Sequence, residues 1–347
     1  MAVSFLSTVF RMSDRRRRLS SGLFSLLFIV LTPGSSAQAA DELTLPSLTE
    51  LKVTTSLDQT QQPSLFWAPD TATKQPTPLL VFLHSWSGNY KQKNDAWLRE
   101  AVKRGWVYLH PDFRGRNDTP QACGSKLARQ DILDAIDFAQ KKFQIDPQRI
   151  YLAGTSGGGH MSMLMAGHHP DRFSAVSAWV GISDIAEWYR FHLKDGVPQN
   201  YAKMILKSLD GPPGENADRD ADYRDRSPVF HLKSVRDLPI ELAAGIRDGY
   251  SGSVPISHTL LAWNEIARAK NDVVIELAEI DRLTELGGQP DQLKQTLANL
   301  EIDGTFGRKI VLRQSVKKSQ VTIFDGGHEG IASAACDWLS MQQRLVR

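Results

Sequence analysis

Cysteine is nearly missing from this 347-residue chain, which has only Cys123 and Cys336. Two thiols exclude a disulfide-rich scaffold and leave at most one bridge. A dominant charge is missing too: 41 Lys and Arg stand against 39 Asp and Glu, a net charge of +2. That balance lacks the clustered basic excess of a nucleic-acid-binding surface. Internal repeats and low-complexity tracts are absent, so the chain reads as a globular α/β-type sequence rather than a solenoid or a linker. Long apolar runs are scarce as well. The stretch Gly22 to Leu31 holds ten residues, about half of what a membrane-spanning helix needs.

That short apolar run follows Arg11 and the cluster Arg15 to Arg18, and it precedes Pro33-Gly34 and the small-residue run Ser35-Ser36-Ala37-Gln38-Ala39-Ala40. A positive start, a short apolar centre and an A-x-A site predict a secretory signal peptide over residues 1–39. Its removal takes away five arginines and one aspartate. The remaining chain then carries 36 basic and 38 acidic residues, a net charge of −2. The expectation is an exported protein, periplasmic or secreted, with no membrane span after cleavage. An oxidising compartment permits a Cys123–Cys336 bridge, but nothing along the chain brings the two residues together, and two buried or semi-exposed thiols are the reading preferred over the bridge.

From residue 40 onwards the pattern alternates. Leu51 to Leu57 and Pro63 to Trp67 read as a leading antiparallel strand pair. The unbroken apolar run Leu79 to His84 predicts a strand buried on both faces. Further strands are expected at Trp106 to His110, Ile150 to Ala153, Phe173 to Val180, Pro239 to Ala244 and Val321 to Phe324. Helices are expected at Asp95 to Lys103, Leu127 to Phe143, Gly157 to Gly167, Ile256 to Ala269 and Ile331 to Leu345. In the second of these, Ile132, Ile136 and Ala139 recur at helical spacing. Strands joined by helical crossovers imply an α/β fold with a mostly parallel, covered sheet. Two long segments break the alternation, Ser183 to Leu238 and Glu279 to Arg313, the second read as two short helices. Insertions of this length are typically lids, caps or binding loops.

Between a strand and a helix lies Gly154-Thr155-Ser156-Gly157-Gly158, a G-x-S-x-G pattern. Alone it is a weak signal, expected by chance in roughly one chain in ten of this length; Gly249-Tyr250-Ser251-Gly252-Ser253 nearly repeats it. Strand-to-helix context makes it a candidate nucleophile elbow, with Ser156 held up by a tight turn. A serine hydroxyl needs a base, and the base needs an orienting acid. In the chain order Ser, acid, His, the acid is Asp248, just beyond the strand Pro239 to Ala244. The base is His328, at the end of Asp325-Gly326-Gly327-His328 and before the last helix. Oxyanion donors are expected from Gly157 N–H and from the loop after Leu79 to His84, at Trp86 or alternatively Ser85. Trp188, Tyr189 and Tyr250 are candidate substrate contacts. His168-His169 with Asp171 is read as a helix-ending turn before Pro170, so no metal and no cofactor is expected.

With these residues in hand, the sequence resembles the α/β-hydrolases, and more narrowly the catalytic domain of the prolyl oligopeptidase family, over about residues 79–340. The likeness rests on L-L-V-F-L-H-S-W-S-G, Y-L-H-P-D-F-R-G, Q-D-I-L-D-A-I-D-F, G-T-S-G-G-G, S-P-V-F-H-L, P-I-E-L-A-A-G-I-R-D and F-D-G-G-H. It implies an α/β-hydrolase fold with helices on both faces of the sheet, and triad roles for Ser156, Asp248 and His328. The family's peptidases carry a β-propeller before this domain, whereas only about forty residues separate the signal from it here. His84-Ser85 and Ala244-Gly245 stand where the family usually has His-Gly. The expectation is therefore a serine esterase acting on a small-molecule or carbohydrate ester. A peptidase or amidase acting on a peptide, and a catalytically silent binding protein of the same fold, are the alternatives.

Overall fold

The computed structural model describes residues 44–235 and 237–344; the predicted signal segment, residues 1–39, lies outside the described residues. Strands β1 (Thr49–Thr54), β2 (Gln61–Trp67) and β3 (Thr77–Leu83) come first. Helix α1 (Asp95–Arg104), β4 (Val107–Pro111), α2 (Lys126–Lys142), β5 (Ile145–Thr155), α3 (Gly157–His168) and β6 (Ala175–Trp179) follow. The first insertion contains α4 (Ile185–Phe191), a two-residue ribbon of β7 (Leu193–Lys194) and β8 (Val197–Pro198), then α5 (Asn200–Leu209) and α6 (Ala217–Asp225). The chain continues with β9 (Ile240–Gly245), α7 (Ser257–Ala269), α8 (Leu277–Leu286) and α9 (Pro290–Ala298). It closes with β10 (Ile302–Asp303), β11 (Arg308–Val316), β12 (Ser319–Phe324) and α10 (Ala332–Ser340).

Ten of these strands form one sheet in the order β1-β2-β4-β3-β5-β6-β9-β12-β11-β10. The six from β4 to β12 run parallel, while both margins are antiparallel. Every residue of β3, β4, β6 and β9 is buried. A strand buried at successive positions is covered on both faces, as helical crossovers require. The leading pair is antiparallel, as its short connection implies.

Helix α2 begins at Ser125, whose hydroxyl accepts from Ala128 N at 3.1 Å. Its Ile132, Ile136 and Ala139 are buried. Full burial of such an aliphatic side chain contributes about 1.5–3 kcal/mol. Helix α3 differs: Gly157 through Gly167 are all buried, so it is enclosed on every side. The second insertion corrects the reading of two short helices. Those helices exist as α8 and α9, but Arg308 onwards forms β11, which pairs with β12 and extends the sheet. Its charged and half-exposed residues hid the alternation by which a strand is recognised.

Candidate active site

The sheet brings the three candidate residues together because β5, β9 and β12 are parallel and end at one edge. Ser156 follows β5 directly, Asp248 lies three residues beyond β9, and His328 lies four beyond β12. The last two loops are tied to each other: Ile246 N donates to Phe324 O at 2.8 Å and Arg247 N to Gly326 O at 3.1 Å.

Ser156 has φ of 62° and ψ of −118°, a conformation that costs a non-glycine residue on the order of 1–3 kcal/mol. The surroundings hold it there. Ser156 N donates to Trp179 O at 2.9 Å, and His160 N to Ser156 O at 2.9 Å. The glycines on either side are required by close approach: a Cβ on Gly154 would lie 2.8 Å from Gly158 Cα. The strain therefore resides in a turn that only small neighbours permit.

Asp248, His328 and Ser156 form a continuous relay. Asp248 Oδ2 lies 2.8 Å from His328 Nδ1, and His328 Nε2 lies 2.8 Å from Ser156 Oγ. The Asp248 carboxylate is fully buried. Its second oxygen accepts from Gly249 N at 2.9 Å and Val254 N at 3.1 Å, which leaves Oδ2 for the imidazole. With Nδ1–H donating to that oxygen, the bare nitrogen of a neutral His328 is Nε2, the one facing the serine.

In the loop after β3, Ser85 and Trp86 differ in whether their N–H groups are engaged. Ser85 N and Oγ both donate to Gln92 Oε1, at 2.9 and 2.7 Å. The alternative donor Ser85 is thereby corrected, because its N–H is occupied. Trp86 N–H has no hydrogen-bond partner among the described residues, whereas Trp86 O accepts from Asn117 N at 3.0 Å. Gly157 N–H, at the first turn of α3, lacks an intrahelical acceptor. The two N–H groups are adjacent, since a Cβ on Gly157 would fall inside 3 Å of Trp86 N and 2.8 Å from Ser85 C. Burial of the Trp86 indole, T-shaped against Trp188 with ring centroids 4.7 Å apart, anchors this donor.

Sequence reasoning missed Gln92 and Asn94. Gln92 Nε2 donates to Asn94 Oδ1 at 3.0 Å, and Asn94 Nδ2 to His110 Nε2 at 3.2 Å. No local motif marks them, for they act only where their loop folds back on Ser85.

The substrate-contact candidates separate. Trp188 and Tyr189 are buried, and Trp188 Nε1 donates to Ser253 O at 2.7 Å. Trp188 thereby ties the first insertion to the Asp248 loop, and neither buried ring presents a free face, which corrects their expected role. Tyr250 is 57% exposed and lies over the Gly288 backbone at the rim. The Cys123–Cys336 bridge is also corrected. Both thiols are free and buried, Cys123 among the insertion residues around Trp86 and Trp188 and Cys336 on α10 in the main core. Two other buried histidines are poor bases: burial lowers His160 and His110 to about 4.

Residues 93–278 match the prolyl oligopeptidase family, a span that includes Ser156 and Asp248. The chain belongs to that family. It is 29% identical to the acylamino-acid-releasing enzyme of Arabidopsis thaliana over 170 residues, 44% of this chain and 20% of that protein. It is 27% identical to an acetylxylan esterase of Coprinopsis cinerea over 129 residues, 34% of each chain. The acylaminoacyl peptidase structure of Pyrococcus horikoshii superposes with a TM-score of 0.54 at 21% identity, covering 67% of this chain and 37% of that one; this likeness carries the fold. The matched stretches span only 20% and 34% of these two curated relatives. With its family and these relatives, this member of the prolyl oligopeptidase family is a serine hydrolase of the α/β-hydrolase fold.

Proposed function

We propose that the chain is an exported esterase that cleaves a carboxylic ester through a Ser156 acyl-enzyme. The observation that carries this reading is the relay of two 2.8 Å contacts ending on a serine at positive φ, beside two uncommitted N–H groups. Ser156 Oγ attacks the carbonyl carbon as its proton passes to His328 Nε2. Negative charge develops on the carbonyl oxygen, where Gly157 N–H and Trp86 N–H receive it. Such fixed donors cost no reorganisation when the charge appears. Asp248 keeps the imidazole in the required tautomer and stabilises its protonated form. Collapse expels the alcohol with the proton from His328, and water repeats the sequence to release the acid.

The acetylxylan esterase likeness supports an acylated carbohydrate as the substrate class, and Tyr250 is the exposed ring positioned to meet it. The acylamino-acid-releasing relative favours a second reading, cleavage of a peptide or amide bond. Export rests on the character of residues 1–40.

The test compares hydrolysis of a short-chain aryl ester with that of a Pro-containing peptide anilide, using Ser156→Ala as the blank. Ester turnover abolished by the substitution, with negligible anilide cleavage, is the expected result. Efficient anilide cleavage would replace the esterase by the peptidase. Rates unaffected by Ser156→Ala would remove the mechanism altogether. Absence of labelling at Ser156 by an active-site phosphonate would favour a silent binding protein.

A further inference from the structure

The turn around His168 and Pro170 acquires partners that are distant in sequence. His168 ends α3, Asp225 ends α6, and His231 follows a short 3-10 turn over Pro228–Phe230. One ligand-capable atom from each lies within 4.8 Å of the other two. His168 Nε2 is 3.8 Å from Asp225 Oδ1, and the two imidazole rings stand 4.0 Å apart. Close approach of the backbones makes this possible: Gly167 has no Cβ, and one added there would lie 2.6 Å from His231 Cβ.

We propose that His168, His231 and Asp225 form a binding site for a divalent transition-metal ion of the zinc class. Two imidazoles and one carboxylate are the ligands such ions prefer, whereas calcium and magnesium select all-oxygen sites. The carboxylate is already oriented. Arg129 donates through both terminal nitrogens to Asp225 Oδ2, each at 3.0 Å, leaving Oδ1 turned towards His168. Such hydrogen bonds behind a ligand fix its direction.

Without metal, His168 Nε2–H donates to Asp225 O at 3.1 Å and His231 Nε2–H to Arg224 O at 3.0 Å. Binding exchanges these bonds for metal–nitrogen bonds, with each ring proton moved to Nδ1. Ligand atoms of a tetrahedral site with bonds of about 2.0–2.1 Å lie roughly 3.3 Å apart. The set must therefore contract by up to about 1.5 Å, which side-chain rotation in this half-buried cluster allows. A bound ion would pin the end of α3, whose N-cap is Ser156, to the first insertion.

The test uses the untagged full chain, freed of metal by a chelator. Co2+ should give the visible absorption of a four-coordinate site with nitrogen ligands at a single ion per chain, and Zn2+ should displace it. Saturating Zn2+ should raise Tm by about 3 °C or more. Asp225→Asn and His231→Gln should each weaken binding about 10-fold or more. The glutamine retains a side-chain amide to bond Arg224 O, and circular dichroism checks the fold of each variant. Ser156→Ala should bind metal like the wild type, which keeps this result independent of the catalytic reading. Absence of a Co2+ band at about 100 µM metal, a concentration far above a useful Kd, would overturn the site. A band of unchanged affinity in the His168→Gln/His231→Gln double variant would do the same.

Discussion

Adding a single methyl group at Gly157 tests the oxyanion geometry directly. In Gly157→Ala the new Cβ falls inside 3 Å of Trp86 N and 2.8 Å from Ser85 C. Carbon–carbon contacts sit at about 3.5–4.0 Å, so the loop must retreat by roughly 1 Å. Its neighbours resist, because the Trp86 indole is buried against Trp188 and Ser85 is held by Gln92. Displacement on this scale at a reacting group costs about 10²-fold in rate, and complete loss of one oxyanion donor about 10²–10³-fold, or about 2.7–4 kcal/mol of barrier. The expected outcome is a fall of 10²–10³-fold (about the range for one lost donor) in kcat on an aryl ester. KM should change much less, since the interaction grows as charge develops. The matched control is Gly304→Ala, where nothing lies within 4 Å of the added carbon and the rate should be unchanged. Calorimetry on both proteins separates a displaced donor from a lost fold. A folded Gly157→Ala enzyme with kcat within about 3-fold of wild type would refute the placement of the oxyanion hole at Gly157 and Trp86.

Three further outcomes follow from the same geometry. Asp248→Asn presents Nδ2–H to His328 Nδ1 and so favours the wrong tautomer; kcat should fall about 10⁴-fold with Tm little changed, and equal loss of kcat and thermal stability would indicate a merely structural carboxylate. Gln92→Ala releases Ser85 N–H and slackens the loop, so kcat should drop about 10-fold with KM nearly constant, and Gln92→Glu, which keeps an oxygen acceptor, should recover part of it in steady-state assays. Glu241 in β9 is fully buried, accepting from Ser177 Oγ at 2.6 Å and Gln320 Nε2 at 2.7 Å, and burial pushes it up to about 7. Because its folded value exceeds the unfolded one, the folded state binds more protons between about 4.5 and 7, and stability declines as pH rises through that window. Denaturant titrations should show wild type losing on the order of 3 kcal/mol relative to Glu241→Gln between pH 5 and pH 8; parallel pH profiles would remove Glu241 as the cause.

How far the residues could be read in advance depended on whether their meaning was local. Leu79 to Leu83 and Ala175 to Trp179 announce buried strands because each successive side chain is apolar or small, and Ile132, Ile136 and Ala139 announce a helix face by spacing. Ser156 was legible because an elbow needs glycine at positions next to it in the chain. Asp248 and His328 were legible because a parallel sheet places post-strand loops on one edge, so chain order and strand ends suffice to nominate them. Arg308 to Val316 was not, since a charged marginal strand carries little alternation and its pairing with β12 is what defines it.

What the sequence by itself determined, then, is the succession of strands and helices and the three side chains delivered to the end of the sheet. These follow from periodicity, turn chemistry and chain order, all written over short distances. Only the tertiary structure decided which N–H stays free beside Ser156, because the occupant of Ser85 N–H is a glutamine side chain seven residues away that must fold back to reach it. It also decided that Trp188 supports the Asp248 loop from within, that Cys123 and Cys336 sit in separate apolar clusters, and that His168 meets Asp225 and His231. These last three outcomes depend on contacts between segments tens of residues apart, whose energies are set by packing rather than by any pattern along the chain.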